Sequence, residues 1–468
     1  VRDADSGDVV NRRRTEAVLL AFAVLVAMAA SAAVDLAHDG RVTAQVLTHG
    51  LALAALFGAA HLAVRRLAPA ADPILLPAAA LLNGVGLVLQ RRLDLAVHDR
   101  AVQLGNKPHS GHAGQQLLWT LVGVALFTAV LALVRDHRVL DRYRYTFAAV
   151  GLGLLLLPTV LPPRYSEVNG AKIWIRFAGF SLQPSELAKI CLIVFFASYF
   201  VAKRELLSMA TRRIAGLNLP RARDLGPVLL AWLASVAVLV REKDLGSSLL
   251  FFGIFVVMLY VATERTSWLL IGLGLFSAGA VAAYRMFGHV RSRVDTWLDP
   301  FADPAHKGYQ LTQGLFGLAT GGLTGTGLGN GRPETVPFAG TDFIFATIGE
   351  ELGLVGVVAV LTVFALFVAR GIRIALGVRD DFGKLLATGL AFSMALQVFV
   401  VVGGVTRLIP LTGITLPFLS YGGSSLVANY VVVALLLRVS DSGRTPVTPR
   451  APRNAAELTG ELTQVVLR

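Results

Sequence analysis

The chain has 468 residues, 55% of them hydrophobic and 16% charged, with a mean hydropathy of +0.64. A soluble chain of this length needs far more charge to cover its surface, so the composition excludes a water-soluble globular protein and requires a bilayer. The net charge of +13 then points to anionic membrane lipid and away from nucleic acid, because basic loops set the orientation of multi-span proteins.

In chain order, residues 1–16 form a polar start with Arg12, Arg13 and Arg14, read as a cytoplasmic tail. No small-residue cleavage site stands out after it, so the first apolar run reads as a retained span. Apolar runs near 17–35, 46–64, 73–90, 116–134, 144–162, 186–202, 225–241, 245–263, 267–286, 343–369, 384–405 and 421–438 each suit a hydrocarbon core about 30 Å thick. They predict an all-α, polytopic membrane helix bundle of about twelve transmembrane helices. Sheet is disfavoured, since an open edge in lipid leaves backbone groups unpaired. An even count puts both termini on one side. The loops sharing that side carry most of the basic residues, among them Arg65, Arg66, Arg138, Arg142, Arg204, Arg212, Arg370 and Arg373, which makes it the cytoplasm. Residues 440–468 read as a disordered cytoplasmic tail. No repeat of 20–50 residues and no inverted repeat of broken helices is visible, so the usual mark of a transporter is missing. Cys191, the only cysteine, lies in an apolar run, which excludes an internal disulfide and a cysteine metal site.

Polar residues at membrane depth gather on the opposite side. His98, His109 and His112 fall in one loop; the last two are three apart without an acidic companion beside them, and the loop reads as solvated. Between 169 and 189 stand Lys172, Trp174, Gln183, Ser185, Glu186 and Lys189. Gln183-Pro184-Ser185-Glu186 looks like a helix start, with Glu186 and Lys189 able to pair at i,i+3. Arg241-Glu242-Lys243-Asp244 is either a plain turn or a lining for an anion. The loop 287–342, about 55 residues where most connections are short, has the length of a functional loop. It holds Arg293, Trp297, Tyr309, Gln310 and Gln313, then a glycine-rich stretch from Gly321 to Gly331 whose spacing suits turns and fails as a dinucleotide fingerprint. Asp342 stands where this loop re-enters the membrane. Partial desolvation there would raise its pKa towards that of a general base, or it caps the next helix. Glu350 and Glu351 lie roughly 12 Å further along that helix, too far to share its proton. At 406–425, Arg407 and two prolines precede Ser420-Tyr421-Gly422-Gly423-Ser424-Ser425, where small residues suit close helix packing.

These same segments resemble the SEDS family of shape, elongation and division proteins, which includes RodA, FtsW and SpoVE. Four stretches carry the resemblance: Asn169 to Ile175 with Gln183 to Lys189; Lys243-Asp244-Leu245-Gly246; Thr341 to Ala346 with Gly349 to Gly353; and Pro417 to Ser425. Their order and spacing are far more specific than any one of them, and the likeness spans roughly residues 73–439. Three positions depart from the usual pattern: Gly340 where histidine is common, Lys243 where proline is usual, and Ile173 where a second basic residue is frequent.

The resemblance implies a ten-helix catalytic membrane domain over 73–439, with a large extracytoplasmic loop at 287–342 and two additional N-terminal helices over 17–72, most like RodA. It implies a bacterial peptidoglycan glycosyltransferase of the cytoplasmic membrane, polymerising lipid II into glycan strands during wall elongation, with its active site extracytoplasmic. Asp342 would be the catalytic base of an inverting transfer. Lys172, Lys189, Lys243 and Arg407 would face the diphosphate, while Trp174, Gln183, Glu186, Asp244, Tyr309, Gln313, Ser420 and Ser424 would complete the substrate site. A divalent cation (Mg or Mn) is an alternative source of positive charge. The expected partner is a class B penicillin-binding protein transpeptidase. A lipid-linked precursor flippase, a scaffold and an FtsW-type division role stay open.

Overall fold

The computed structural model describes residues 2–105, 111–168, 171–177, 180–208, 212–214, 217–219, 222–242 and 244–445. In chain order these form α1 (Arg2–Asp39), α2 (Ala44–Leu67), α3 (Leu75–Gln103), α4 (His112–Leu133), the single turn α5 (Val139–Arg142), α6 (Arg144–Val160), the single turn α7 (Pro163–Ser166), β1 (Glu167–Val168), β2 (Ala171–Lys172), β3 (Ile175–Phe177), β4 (Phe180–Leu182) and α8 (Pro184–Ser208). They continue with β5 (Arg212–Ile214), β6 (Leu217–Leu219), α9 (Ala222–Arg241), α10 (Leu245–Thr263), α11 (Ser267–Met286), α12 (Gly288–Leu298), α13 (Tyr309–Gly321), a 3₁₀ turn at Pro333–Thr335, α14 (Ile344–Gly377), α15 (Asp381–Val405) and α16 (Gly423–Arg444). The protein is a helical membrane bundle. Its strands pair only as three antiparallel two-stranded hairpins, β1–β2, β3–β4 and β5–β6, in connections between helices.

Each of the twelve expected spans falls on one helix. Among the described residues, however, only nine helices are long and apolar enough to cross a membrane. The other three are α6, with 17 residues, α3, which carries Gln90, Arg91 and Arg92, and α9, only part of whose side chains are described. The expected polar tail at 1–16 belongs to α1, which starts at Arg2.

Helix α16 is the bundle's axis: its apolar window is wholly buried, whereas that of α11 is almost wholly exposed. Helices α1 and α2 pack on each other and then on α3 and α4. At one end of the bundle Asp72 receives Arg370 Nε at 3.0 Å and Arg444 Nη2 at 3.1 Å, so the ends of α14 and α16 are tied beside the α2–α3 connection. His137 Nε2 lies 2.9 Å from Asp380 at that same end. The first residues of α1 and the last of α16 therefore share one end, and the long loop 287–342 lies at the other.

That loop is largely built structure. Helices α12 and α13 fold back on the bundle, and α13 packs along α14. The reason lies in glycine. A Cβ on Gly321 would stand 1.8 Å from the carbonyl oxygen of Gly349, so only glycine permits this approach. Helix α14 is itself broken at Gly353 (φ 64°, ψ −166°). The glycine-rich stretch satisfies the backbone groups around that break: Thr326 N donates to Glu350 O at 3.0 Å, Gly327 N to Glu351 O at 3.0 Å, Leu354 N to Gly322 O at 2.9 Å and Val355 N to Leu323 O at 3.1 Å. A broken helix at membrane depth persists only where its freed groups find such partners.

Two glycine substitutions separate packing from propensity. Gly321→Ala must push α13 off α14 and should destabilise the protein by on the order of 3 kcal/mol. Gly274→Ala, on the exposed face of α11 with nothing within 4 Å, should be neutral or slightly stabilising. Thermal unfolding in detergent reads both, and equal effects would discard the packing account.

Candidate active site

Asp342 occupies a non-helical corner, residues 338–343, just before α14. Backbone carbonyls hold this corner. Gly340 O accepts from Gln90 Nε2 of α3 at 2.7 Å and from Tyr421 N at 2.7 Å. Thr341 O accepts from Ser420 Oγ, whose oxygen in turn accepts from Leu416 N at 2.8 Å. Phe338 O accepts from Thr341 N at 3.0 Å, and Phe338 itself adopts φ 58°. Phe418 and Arg407, on the facing segment, also have positive φ (63° and 61°). Non-glycine residues in this region store strain, which concentrates at functional sites.

The capping alternative fails. Phe343 takes the N-cap position of α14 and makes no side-chain cap bond. Asp342 instead accepts a hydrogen bond from Thr341 Oγ1 at 2.9 Å and faces a cavity of about 530 Å³ together with Arg293, Lys307, Gln310, Trp174 and Tyr421. Burial pushes its carboxyl above the ordinary carboxylate value; the Thr341 hydroxyl, the Gln310 amide and the positive charge of Arg293 pull the other way without cancelling it.

Four segments build the cavity wall. Arg293, Thr296 and Trp297 form one face of α12. Arg293 Nη1 donates to Leu411 O at 3.2 Å and Thr412 O at 2.9 Å, which docks α12 on the 406–422 segment. A reciprocal clasp reinforces it: Trp297 Nε1 donates to Arg407 O at 3.1 Å, and Arg407 Nε to Trp297 O at 2.8 Å. Gln310 of α13 donates to Pro337 O at 3.3 Å. Trp174 and Gln183, flanking the β3–β4 hairpin, close the remaining side, while Leu411, Gly413 and Thr415 line the wall from the 406–422 segment.

Of the residues that the resemblance assigned to the substrate site, Asp342, Trp174 and Gln183 reach this cavity, and Arg293, Trp297, Gln310 and Tyr421, named from sequence without such a role, line it too. The others stand elsewhere among the described residues. Lys172 pairs in register with Glu167 on the β1–β2 hairpin. Glu186 and Lys189 form a buried ion pair at 2.9 Å, and Lys189 Nζ also donates to Gln397 Oε1 at 2.7 Å. Gln397 passes the link on to Thr415 O at 3.0 Å. Asp244 caps α10 by accepting from Ser247 N at 2.9 Å, and Gln183 Nε2 reaches it at 3.4 Å. Tyr309 and Gln313 sit on α13 away from the lining. The guanidinium of Arg407 is spent on the carbonyls of Trp297 and Leu298. Ser420 and Ser424 are buried; Ser424 Oγ accepts from Gln183 N at 3.0 Å. Lys243 and His109 lie outside the described residues. His112, expected in a solvated loop, instead opens α4 and stacks on Tyr421 with ring centroids 4.3 Å apart.

The cations expected to face an anion therefore change. Lys189 and Arg407 have their donors engaged by the protein, whereas Arg293 and Lys307 line the cavity. One sequence signal could have shown this: Arg293 and Trp297 are four residues apart, the spacing of one helix face. Among the described residues no group of three His, Cys, Asp or Glu side chains could hold a metal ion, and Asp342 is the one carboxylate among the described residues of the cavity lining.

The family described as cell cycle protein, FtsW/RodA/SpoVE, matches residues 72–445. Over 457 residues the chain is 54% identical to the peptidoglycan glycosyltransferase RodA of Mycobacterium tuberculosis, covering 98% of this chain and 96% of that protein. It is 37% identical over 340 residues to the stage V sporulation protein E of Bacillus subtilis, covering 71% and 87% of the two chains. Among solved structures it is similar to a chain from a peptidoglycan synthase complex described as coordinating polymerization and crosslinking, with a TM-score of 0.60 and 28% identity over 80% of this chain and 99% of that one. The chain belongs to the FtsW/RodA/SpoVE family of cell cycle proteins, its match beginning at Asp72 and leaving α1 and α2 ahead of it.

Proposed function

We propose that the chain is a peptidoglycan glycosyltransferase whose chemistry takes place in the cavity around Asp342. Near-complete similarity to a RodA peptidoglycan glycosyltransferase supports the activity. The observation that carries the site is an uncapped carboxylate with a raised pKa, facing a cavity that also holds two cationic side chains.

The substrates of such a reaction are lipid-linked disaccharide diphosphates such as lipid II. The acceptor hydroxyl attacks the donor's anomeric carbon while Asp342 takes the hydroxyl proton. A new C–O bond forms as the bond from the anomeric carbon to the diphosphate oxygen breaks, and the electron pair leaves with the lipid diphosphate. Attack from the face opposite the leaving group inverts the configuration. Arg293 and Lys307 stabilise the charge that develops on the departing diphosphate, in a place of low dielectric where such stabilisation is strongest. Trp174 and Tyr421 offer flat faces to sugar rings, and Gln183 and Gln310 offer amide groups. Asp342 is the one carboxylate among the described residues of the lining, and Arg293 and Lys307 are the side chains to which the diphosphate charge is assigned.

The bundle end opposite the termini holds the cavity, and the termini end carries most of the basic loops. The positive-inside bias supports a cytoplasmic placement of that end and an extracytoplasmic site. The similarity to a chain from a polymerising and crosslinking complex supports a class B penicillin-binding protein as partner. Likeness to RodA over the whole chain, α1 and α2 included, favours wall elongation over division.

Three measurements on purified protein supplied with lipid II test this reading. Asp342→Asn keeps the shape of the side chain and removes the base, so polymer formation should fall by at least about 10³-fold; unchanged polymer output would sink the catalytic role, and lipid movement without polymer would indicate a flippase. The base must be ionised to work, and its pKa is raised. The rate should therefore fall with decreasing pH through a midpoint above the ordinary carboxylate value. Arg293→Gln removes a charge that favours the ionised form and should move that midpoint to higher pH, besides lowering kcat by about 10²-fold. Gln90→Leu frees the Gly340 carbonyl and should lower kcat by about tenfold with little change in KM. Asn83→Leu on the same helix, which loses bonds to Thr120 and Tyr430, should lower Tm and leave kcat in place.

A further inference from the structure

Helices α1 and α2 precede the family-matched residues almost entirely, and they enclose a second cavity of about 380 Å³ at the bundle end that carries the termini. Arg13, Arg14, His61 and Arg65 line it, and no Asp or Glu does among the described residues. Arg13 is 5% exposed. Its terminal nitrogens are taken by Glu16 and the carbonyl of Ala71, but its Nε is buried with no hydrogen-bond partner among the described residues. Glu16 lies behind the cavity, fully buried, between Arg13 and His61, whose Nδ1 is 2.7 Å away. The nearby Asp72 is occupied by Arg370 and Arg444. Arg14 and Arg65 are exposed and form no ion pair among the described side chains. With Arg14 and Arg65 in no ion pair among the described side chains, the cavity keeps a net positive charge.

Below the arginines the surface turns apolar. Arg14, Val18, Phe22 and Leu25 follow one another at three- and four-residue spacing, one face of α1. The three apolar members are more than half exposed (62%, 57% and 63%). On α2, Leu62 is exposed one turn from Arg65. Both helices are membrane spans by length and composition, so these stripes lie at acyl-chain depth and the cavity at head-group level.

We infer that this cavity binds the phosphate of an anionic phospholipid, with its oxygens accepting from Arg14 and Arg65 and its acyl chains lying along Val18, Phe22 and Leu25 of α1 and beside Leu62 of α2. Basic pockets between membrane helices recognise lipid phosphates in this manner. Free phosphate shares the charge chemistry but has nothing to place on Val18, Phe22 and Leu25.

Native mass spectrometry of the full chain, released from nanodiscs of phosphatidylcholine doped with phosphatidylglycerol, tests it. Wild type should retain phosphatidylglycerol about tenfold over phosphatidylcholine. The double variant Arg14→Ala/Arg65→Ala should lose that preference, and Arg14→Lys/Arg65→Lys should keep most of it. Arg66→Ala, an exposed neighbour outside the cavity, should bind as wild type. Undiminished preference in the double alanine variant would overturn the site, as would equal loss in Arg66→Ala, which would indicate diffuse charge. Complete displacement by millimolar inorganic phosphate would overturn the lipid as the occupant.

Discussion

The carbonyl oxygen of Gly340 is the point on which the site depends. It accepts from the Gln90 amide on α3 and from the backbone of Tyr421 on the segment leading into α16, so one backbone atom ties three distant parts of the chain together. A carbonyl at membrane depth cannot turn to water for its partner, which makes these bonds obligatory. The next carbonyl, that of Thr341, is held by Ser420. With two consecutive peptide groups fixed, Asp342 has little freedom except in its own side chain. Glycine at 340 is part of the arrangement: a Cβ there would stand 2.6 Å from Gln90 Oε1. The space a larger residue would occupy is filled by an amide from another helix.

The two residues after Gln90 extend this anchorage in other directions. Arg92 donates to Glu351 at 2.8 Å and to the carbonyl of Gly331 at 2.7 Å, joining α3 to the break in α14 and to the glycine-rich stretch that patches it. Arg91 turns away from both and meets Asp35 of α1 at 2.5 Å and Thr43 of the α1–α2 connection at 3.0 Å. A Cβ on Gly329 would press on Ala37 at 2.8 Å, so the end of α1 also touches the glycine-rich stretch. The added hairpin is thus packed against structure that leads to Asp342. Each of these charges is buried and meets an opposite charge, Arg91 at Asp35 and Arg92 at Glu351, and breaking a buried pair by removing one partner is strongly destabilising. One turn of α3 therefore explains why a mostly apolar helix keeps three long polar side chains in its interior.

The membrane architecture was legible in the sequence because length and hydropathy register directly on helices: all twelve apolar runs became helices. The corner at Asp342 was legible as well, from its place between a long loop and an apolar run. What stayed hidden were the partners. Whether Lys189 faces a substrate or Glu186 depends on rotamers and on Gln397, which lies 208 residues away. Arg407, read from sequence as a cation for the diphosphate, instead closes the clasp on α12 with its guanidinium. The long loop hid two helices because glycine and polar residues between apolar ones mask the helical period. The break in α14 was invisible for a related reason: a single glycine in an apolar run costs too little to interrupt a hydropathy pattern.

The fate of the cations follows from a rule about burial. A cation that meets a migrating anion must keep donors free while its charge stays put. Lys189, with a compact ammonium, satisfies Glu186 and Gln397 and has little left to offer. Arg293 differs because a guanidinium carries five N–H donors in a rigid plane. Its Nη1 fixes it to the carbonyls of Leu411 and Thr412, and the remaining edge belongs to a side chain that lines the cavity. Those carbonyls hold the group in place, and the carboxylates of Asp244 and Asp342 act on its charge without a direct ion pair among the described residues. The arrangement leaves a full positive charge beside Asp342, close enough to oppose the desolvation of that carboxylate and yet too weak to abolish it. A base in such surroundings stays protonatable, and an arriving diphosphate finds an arginine whose orientation has already been set by the fold.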